Sequence, residues 1–258
     1  INDALISGAI DMATGGVPPP LIMWDKTRGT SDVKLVCAIS SMPLLLNTRA
    51  PNVKSVADFT EKNRIALAGI KTSNHAVMLA MAAEKAFGEG KHGKLDPITV
   101  AFSHPDGMAA LLSGNEIDSH FTAPPFQYQE LERPGVRTVL NSYDLLGSKS
   151  TFAVVYAAGK FRDANPKLYA AFLAGMKDAV EILNKDRKGA ADLYVSKQKG
   201  LGADKILAML NDPDIEFTLT PRNVMKYADF MHKIGLIKNK PASWKDLFFP
   251  EAHDLPGS

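Results

Sequence analysis

Three groups of polar residues in this chain have the types and spacing to hold a small ligand. Lys71-Thr72-Ser73-Asn74-His75 lies between an apolar stretch, Arg64 to Ala68, and a strongly helical one, His75 to Phe87. A loop between a strand and a helix aims backbone N–H groups and hydroxyls at one point, where an oxyanion can sit. Capping explains the same residues, since Ser73 or Asn74 satisfies the first free N–H groups of a helix. His75 at that start can donate a hydrogen bond or pair with an acidic ligand. Thr14-Gly15-Gly16 and Phe121-Thr122-Ala123 form the second group, each following an Ile-Asp pair, and Ser40-Ser41 the third. Phe121, Phe126 and Tyr128 can supply aromatic walls. Hydroxyls and glycines without a poised acid–base pair suit binding better than catalysis.

Other chemistries fail on spacing. Gly88-Glu89-Gly90-Lys91-His92-Gly93-Lys94 has phosphate-loop spacing up to its lysine, but Leu95 stands where a Ser or Thr must hold the metal, and the motif follows a helix. Ser31 to Lys34 and Ser196 to Lys199 fit Ser-x-x-Lys without the companion motifs of an acylating enzyme. The six histidines show no His-x-x-x-His or His-Glu spacing, so no metal site is expected. Cys37, the one cysteine, sits in an apolar strand and reads as a buried structural thiol; it excludes an internal disulfide. No cofactor is implied.

The elements that position these residues repeat. Ala4-Leu5-Ile6-Ser7-Gly8-Ala9-Ile10-Asp11 is matched by Ala110-Leu111-Leu112-Ser113-Gly114-Asn115-Glu116-Ile117-Asp118. Each copy ends a helix at Gly, enters a short strand at Ile-Asp, and meets a Pro-Pro that opens another helix. The first strand is expected over 10–13, leaving Thr14-Gly15-Gly16 as a loop. Strands follow at 33–39 and 136–141, and Ser40-Ser41-Met42-Pro43 interrupts the first of these as a crossing between lobes. Further strands are expected at 44–46, 64–68 and 98–102, and a β-rich run at 151–157 as the crossing back, with helices at 18–26, 55–59, 75–87 and from Asp106 as N-cap to Gly114. Beyond Gly159 the chain reads as helical. Asn165 caps a helix whose stripe is Leu168, Phe172, Leu173, Met176, Val180 and Leu183; helices at 189–197, 203–210 and 221–234 follow, the last capped by Thr220. Trp244, Phe248 and Phe249 are expected to pack the tail onto a lobe. Alternating strands and helices predict an α/β fold with largely parallel sheets.

Composition sets the outer limits. The 258 residues suffice for two lobes of about 100–150 residues each. A net charge of +2 gives no case for nucleic acid or an anionic membrane surface, and no apolar run approaches the ~20 residues of a spanning helix. No signal peptide is visible, yet Ile1 is no initiator and the chain opens inside a helix.

Gly8-Ala9-Ile10-Asp11 with Gly15-Gly16, Arg64 to Ala68 leading to Ser73-Asn74-His75, Gly114 to Asp118, and Pro166-x-Leu-x-x-Ala-Phe together resemble solute-binding proteins of ABC importers. The branch is that of nitrate, taurine and aliphatic-sulfonate binders and their thiamine-precursor relatives. The resemblance implies a two-lobed periplasmic binding protein of type 2 with two hinge crossings. Lobe 1 would comprise 1–43 plus 152–258, and lobe 2 residues 44–151. It implies a monomeric periplasmic protein without catalytic activity, closing on a solute in an interlobe cleft and meeting the membrane only through the ABC permease. Thr14, Gly15, Gly16, Ser40, Ser41, Thr72, Ser73, Asn74, His75, Phe121 and Thr122 are then the expected ligand contacts. Family members begin with a strand and helix that precede the first Ile-Asp unit, so lobe 1 is expected to be incomplete at its N-terminal side. A ligand-sensing regulatory domain and an enzyme of thiamine-pyrimidine synthesis are the alternatives. The first would need an attached DNA-binding helix-turn-helix, which is not seen in this sequence, and the second requires a cysteine-rich motif that one cysteine cannot supply.

Overall fold

The structure is a computed structural model that describes residues 1–198 and 200–258; Lys199, which ends the second Ser-x-x-Lys pattern, lies outside them. It is mixed α/β and divides into two units, residues 1–42 with 150–258, and residues 43–149. In chain order the first unit opens with α1 (Asn2–Ser7), β1 (Met12–Gly16), α2 (Pro18–Lys26) and β2 (Lys34–Ser41). The second contains β3 (Leu45–Thr48), β4 (Ile65–Leu67), α3 (Asn74–Phe87), β5 (Thr99–Ala101), α4 (His104–Ser113), β6 (Ser119–Thr122), α5 (Phe126–Leu131), β7 (Arg137–Asn141) and α6 (Ser142–Leu146). The first unit then resumes with β8 (Thr151–Ala157), α7 (Gly159–Ala164), α8 (Pro166–Lys185), α9 (Arg187–Lys197), α10 (Ala203–Leu210), β9 (Glu216–Phe217), α11 (Val224–Lys233) and α12 (Trp244–Leu247).

The sequence repeat is a repeat of topology. In the first unit β1 and β2 run the same way on either side of β8, and in the second β6 and β7 do so on either side of β3. In each unit the middle strand is the first one formed after the chain enters from the other unit. This corrects the expectation of largely parallel sheets. The sheet β1-β8-β2-β9 pairs antiparallel throughout, and β5-β4-β6-β3-β7 is parallel only across β5, β4 and β6. A strand arriving from a crossing can satisfy the N–H and C=O groups of both flanking strands at once, so insertion is favoured over addition at an edge.

Several boundaries differ from expectation, each for a local reason. Thr14, Gly15 and Gly16 are not a loop: they pair with Val155, Val154 and Ala153, and β1 begins at Met12 rather than Ile10. Ser40 and Ser41 likewise belong to β2, paired with β8 and β9, so the break falls at Met42-Pro43. The N-cap of α4 is Ser103, whose hydroxyl accepts from the Asp106 N–H at 3.3 Å and donates to its carboxylate at 2.5 Å. Pro105 presets the helical φ one turn earlier than Asp106 would. Asn165 makes no side-chain cap for α8, because its amide donates back to the Phe161 carbonyl at 3.1 Å. Helix α11 starts after Asn223, held at φ 54°, and not after Thr220, since Arg222 is drawn into paired bonds with Thr151. On α8 the buried residue is Tyr169, whereas Leu168 is 59% exposed and lies off the stripe.

Each unit has its own core. In the first, Val36, Cys37, Val155, Ala157, Tyr169 and Phe249 pack together, with Phe172, Leu173 and Met176 against them. The tail closes this core: Trp244, Phe248 and Phe249 are buried, the Phe249 N–H donates to the Leu35 carbonyl at 2.9 Å, and Asp246 O accepts from the Trp24 indole at 2.9 Å. Burying such a side chain contributes roughly 1.5–3 kcal/mol. In the second unit Leu46, Ile65, Ala66 and Phe121 are fully buried, and Ala66, Leu111 and Ile117 form the cluster under α4.

Candidate functional site

The parallel strands β4 and β6 of the second unit end side by side, with Leu67 opposite Phe121. Three helices begin just beyond these ends and that of β5. Ser73 caps α3 by accepting from the Ala76 N–H at 3.1 Å, and its own proton goes to the Gly69 carbonyl at 2.6 Å. Both of its bonding roles are therefore used locally. Replacing Ser73 by Ala is expected to cost about 1 kcal/mol of stability, read as a shift in the urea midpoint; no change would mean that Gly69 and Ala76 find other partners.

The second residue of α3, the first of α4 and the first of α5 are His75, His104 and Phe126. The His75 and His104 rings meet edge to face at 5.0 Å, and His104 stacks on Phe126 at 5.8 Å with 13° between planes. Thr122, the last residue of β6, fixes both imidazoles: its hydroxyl lies 2.6 Å from His104 Nδ1, and its backbone bonds His75. The Nε2 of His75 is buried and has no partner among the described residues. Burial holds the His75 pKa well below its ordinary value, with His104 and His120 adding to the effect. Burial, followed by the proximity of His120, lowers His104 to about 4. Both rings are neutral at physiological pH, so they offer hydrogen bonds rather than positive charge.

Beneath them lies a buried polar chain. His120 Nδ1 is 2.5 Å from Glu130 Oε1, Asn47 donates to Glu130 Oε2 at 2.9 Å, and Thr138 donates to Asn47 at 2.8 Å. His120 and Glu130 are both fully buried. A Cβ at Gly107 would lie 2.5 Å from His120 Nε2, so glycine there lets α4 approach the ring.

Among the residues expected from sequence, His75 and Thr122 come together here, while Phe121 is fully buried and meets His75 edge to face at 5.4 Å. Asn74 is buried and Thr72 exposed. In the first unit, Gly16 and Ser40 flank Ala153 from opposite sides, so the ends of β1 and β2 lie at the same end of the sheet, on either side of β8. Ser41 is fully buried and its hydroxyl has no partner among the described residues. His104, His120 and Glu130 are not among the residues expected from sequence; the visible signal for His104 is Ser103-His104-Pro105-Asp106 opening a helix after a strand. Among the described residues no group of three or more His, Cys, Asp or Glu is placed to hold a metal. Burial raises the Cys37 thiol to about 12, which suits packing rather than nucleophilic work.

No family model matches the chain, and no curated protein matches it by sequence. Solved structures do match. The periplasmic aliphatic sulphonate binding protein SsuA from Escherichia coli is 21% identical, with a TM-score of 0.67 over 96% of this chain and 78% of that one. The alkanesulfonate-binding SsuA from Xanthomonas axonopodis pv. citri, bound to MOPS, is 19% identical, with a TM-score of 0.69 over 96% and 83%. The ligand-binding component of an ABC-type import system from Staphylococcus aureus, with zinc bound, is 18% identical, with a TM-score of 0.71 over 99% and 84%. By its two sheets, the inserted strand in each and this shared architecture, the chain has the fold of the periplasmic binding proteins of ABC importers.

Proposed function

We propose that this protein binds a small solute, an aliphatic sulfonate or a related small oxyanion such as taurine or nitrate, and delivers it to an ABC permease from the periplasm without turning it over. The observation that carries this reading is the meeting of three helix starts at Thr122, where hydroxyl and neutral imidazole groups are held by neighbours that are themselves bonded. Oxyanions bind well to N–H donors at helix N-termini. The serines, threonine and glycines at the ends of β1 and β2 are proposed as further contacts, with Ser41 as a hydroxyl that has no partner among the described residues. The sulfonate-binding role of two solved structures that share the fold supports the ligand class.

A thermal-shift panel of ethanesulfonate, taurine, nitrate, acetate and a pyrimidine tests the reading. A ligand at 100 times its Kd adds about 2.7 kcal/mol, which raises Tm by several degrees in a chain this long. The expected result is a shift confined to the oxyanions with unchanged ligand recovered afterwards. A shift with the pyrimidine alone, or consumption of the ligand, would overturn it.

A further inference from the structure

We infer that His104 contacts the solute through an Nε2–H donor, its tautomer set by Thr122, and so selects ligands that present an oxygen acceptor. This rests on the solute-binding reading and deepens it. The ring is fixed on three sides: Thr122 Oγ1 at Nδ1, Phe126 on its face and His75 at its edge. Among the described residues Nε2 has no partner, and unlike Nε2 of His75 and His120 it is not a buried atom. It is therefore the polar atom of this cluster that a ligand can reach.

The tautomer follows from proton accounting. Thr122 is fully buried, and among the described residues the one partner of its hydroxyl is His104 Nδ1. If Nδ1 carried the proton, the threonine proton would have no acceptor, which is costly in a buried site. The hydroxyl therefore donates to Nδ1, and the ring proton sits on Nε2. Thr122 acts as a positioning residue and His104 as the contact.

Burial, followed by the proximity of His120, keeps the His104 ring neutral against the groups that face it. They are His75 from α3 and His120 from β6, with Glu130 of α5 engaged by His120 and Asn47, and Asp106 on its own helix bonded to Ser103. An uncharged N–H distinguishes acceptor-bearing ligands without a preference for total charge.

Three measurements on the full chain test the assignment. Imidazole 15N NMR should find the His104 proton on Nε2 from pH 6 to 8; a proton on Nδ1 would overturn it. Ethanesulfonate affinity by calorimetry should be flat between about pH 5.5 and 8, whereas a cationic clamp of ordinary pKa would lose up to about tenfold per pH unit above 6.5. His104→Phe, which keeps the stacking, should weaken ethanesulfonate at least about tenfold, and His104→Gln should recover part of the loss. Wild-type affinity in a folded His104→Phe variant would sink the inference while leaving the binding reading intact. If that variant does not fold, the NMR and pH measurements on the unchanged chain decide. Absence of ethanesulfonate binding by the unchanged chain would remove the binding reading itself, and this assignment with it.

Discussion

Replacing Glu130 by Ala is expected to lower the unfolding free energy of the second unit by about 3–5 kcal/mol. Glu130 sits on a helix of only six residues, yet both of its oxygens are used in a site closed to solvent, one by His120 and the other by Asn47. Among the described residues His120 Nε2 already lacks a partner, so removing the carboxyl leaves both ring nitrogens without one. Asn47 retains the Gln127 carbonyl at 3.0 Å, which limits the further loss to one acceptor. Gln127 is fully buried and holds the start of β3 through the Leu45 N–H and the Pro43 carbonyl. The chain of bonds thus fastens α5 to β6, β3 and β7 together. Glu130→Gln keeps an acceptor and should cost less, about 1–2 kcal/mol. Urea unfolding followed by a second-unit probe gives both values. A loss below about 1.5 kcal/mol for the alanine would mean that water enters and replaces the carboxyl, and the network would then not be what orders α5.

The sequence repeat shows where this network can form but not the network itself. Ile117-Asp118 followed by Pro124-Pro125 marks a strand, a turn and a helix, and the boundaries of β8 and α10 could be read to the residue. What could not be read is which strand stands between which. Thr151 to Ala157 is as apolar as an added parallel strand would be, and its insertion between β1 and β2 depends on where the chain re-enters, a non-local fact. The same limit applies to the site. Ser73 and Thr122 are visible as hydroxyls next to helix starts, but their partners are not. Ser73 turns inward to Gly69 and Ala76, while Thr122 meets a histidine 18 positions away. Glu130 looks like a surface helix charge, because a glutamate near the end of a short helix is ordinarily solvated. It is buried because β3 brings Asn47 beneath it. Local chemistry is legible where the bonding is local, and the polar core of the second unit is made almost wholly of long-range pairs.

Stability of the second unit is expected to fall steeply as pH drops from 6.5 towards 4. In the folded chain the pKa of His75 lies well below 6.5, and that of His104 at about 4, chiefly through burial. Unfolded, both titrate near 6.5. Between these values the unfolded chain binds more protons, so stability rises with pH there; it is complete above about pH 7 and is lost on acidification. For His104 alone the full loss is about 2–3 kcal/mol after allowing for its partial exposure, and His75 adds to it. Carboxylates act in the same direction but in a lower window. Asp25, held by the Lys238 and Asn239 N–H groups, and Glu251, held by Arg162, have pKa values below 3.8 and 4.5, so their contributions are intact until the histidines are largely protonated in the unfolded chain. Asp25 and Glu251 lie in the first unit, but Asp58, whose pKa is lowered by the Lys54 N–H and by the Ser55 hydroxyl and N–H, lies in the second, so the two effects are separated by pH rather than by location. Urea melts at pH 7.5, 6.5, 5.5 and 4.5 should show the second-unit midpoint falling across the series, with a smaller fall in His104→Phe. A midpoint unchanged between pH 7.5 and 5 would mean that the imidazoles are hydrated or free to turn outward. In that case the ring cluster at Thr122 would not be the rigid donor surface on which recognition of an oxyanion depends.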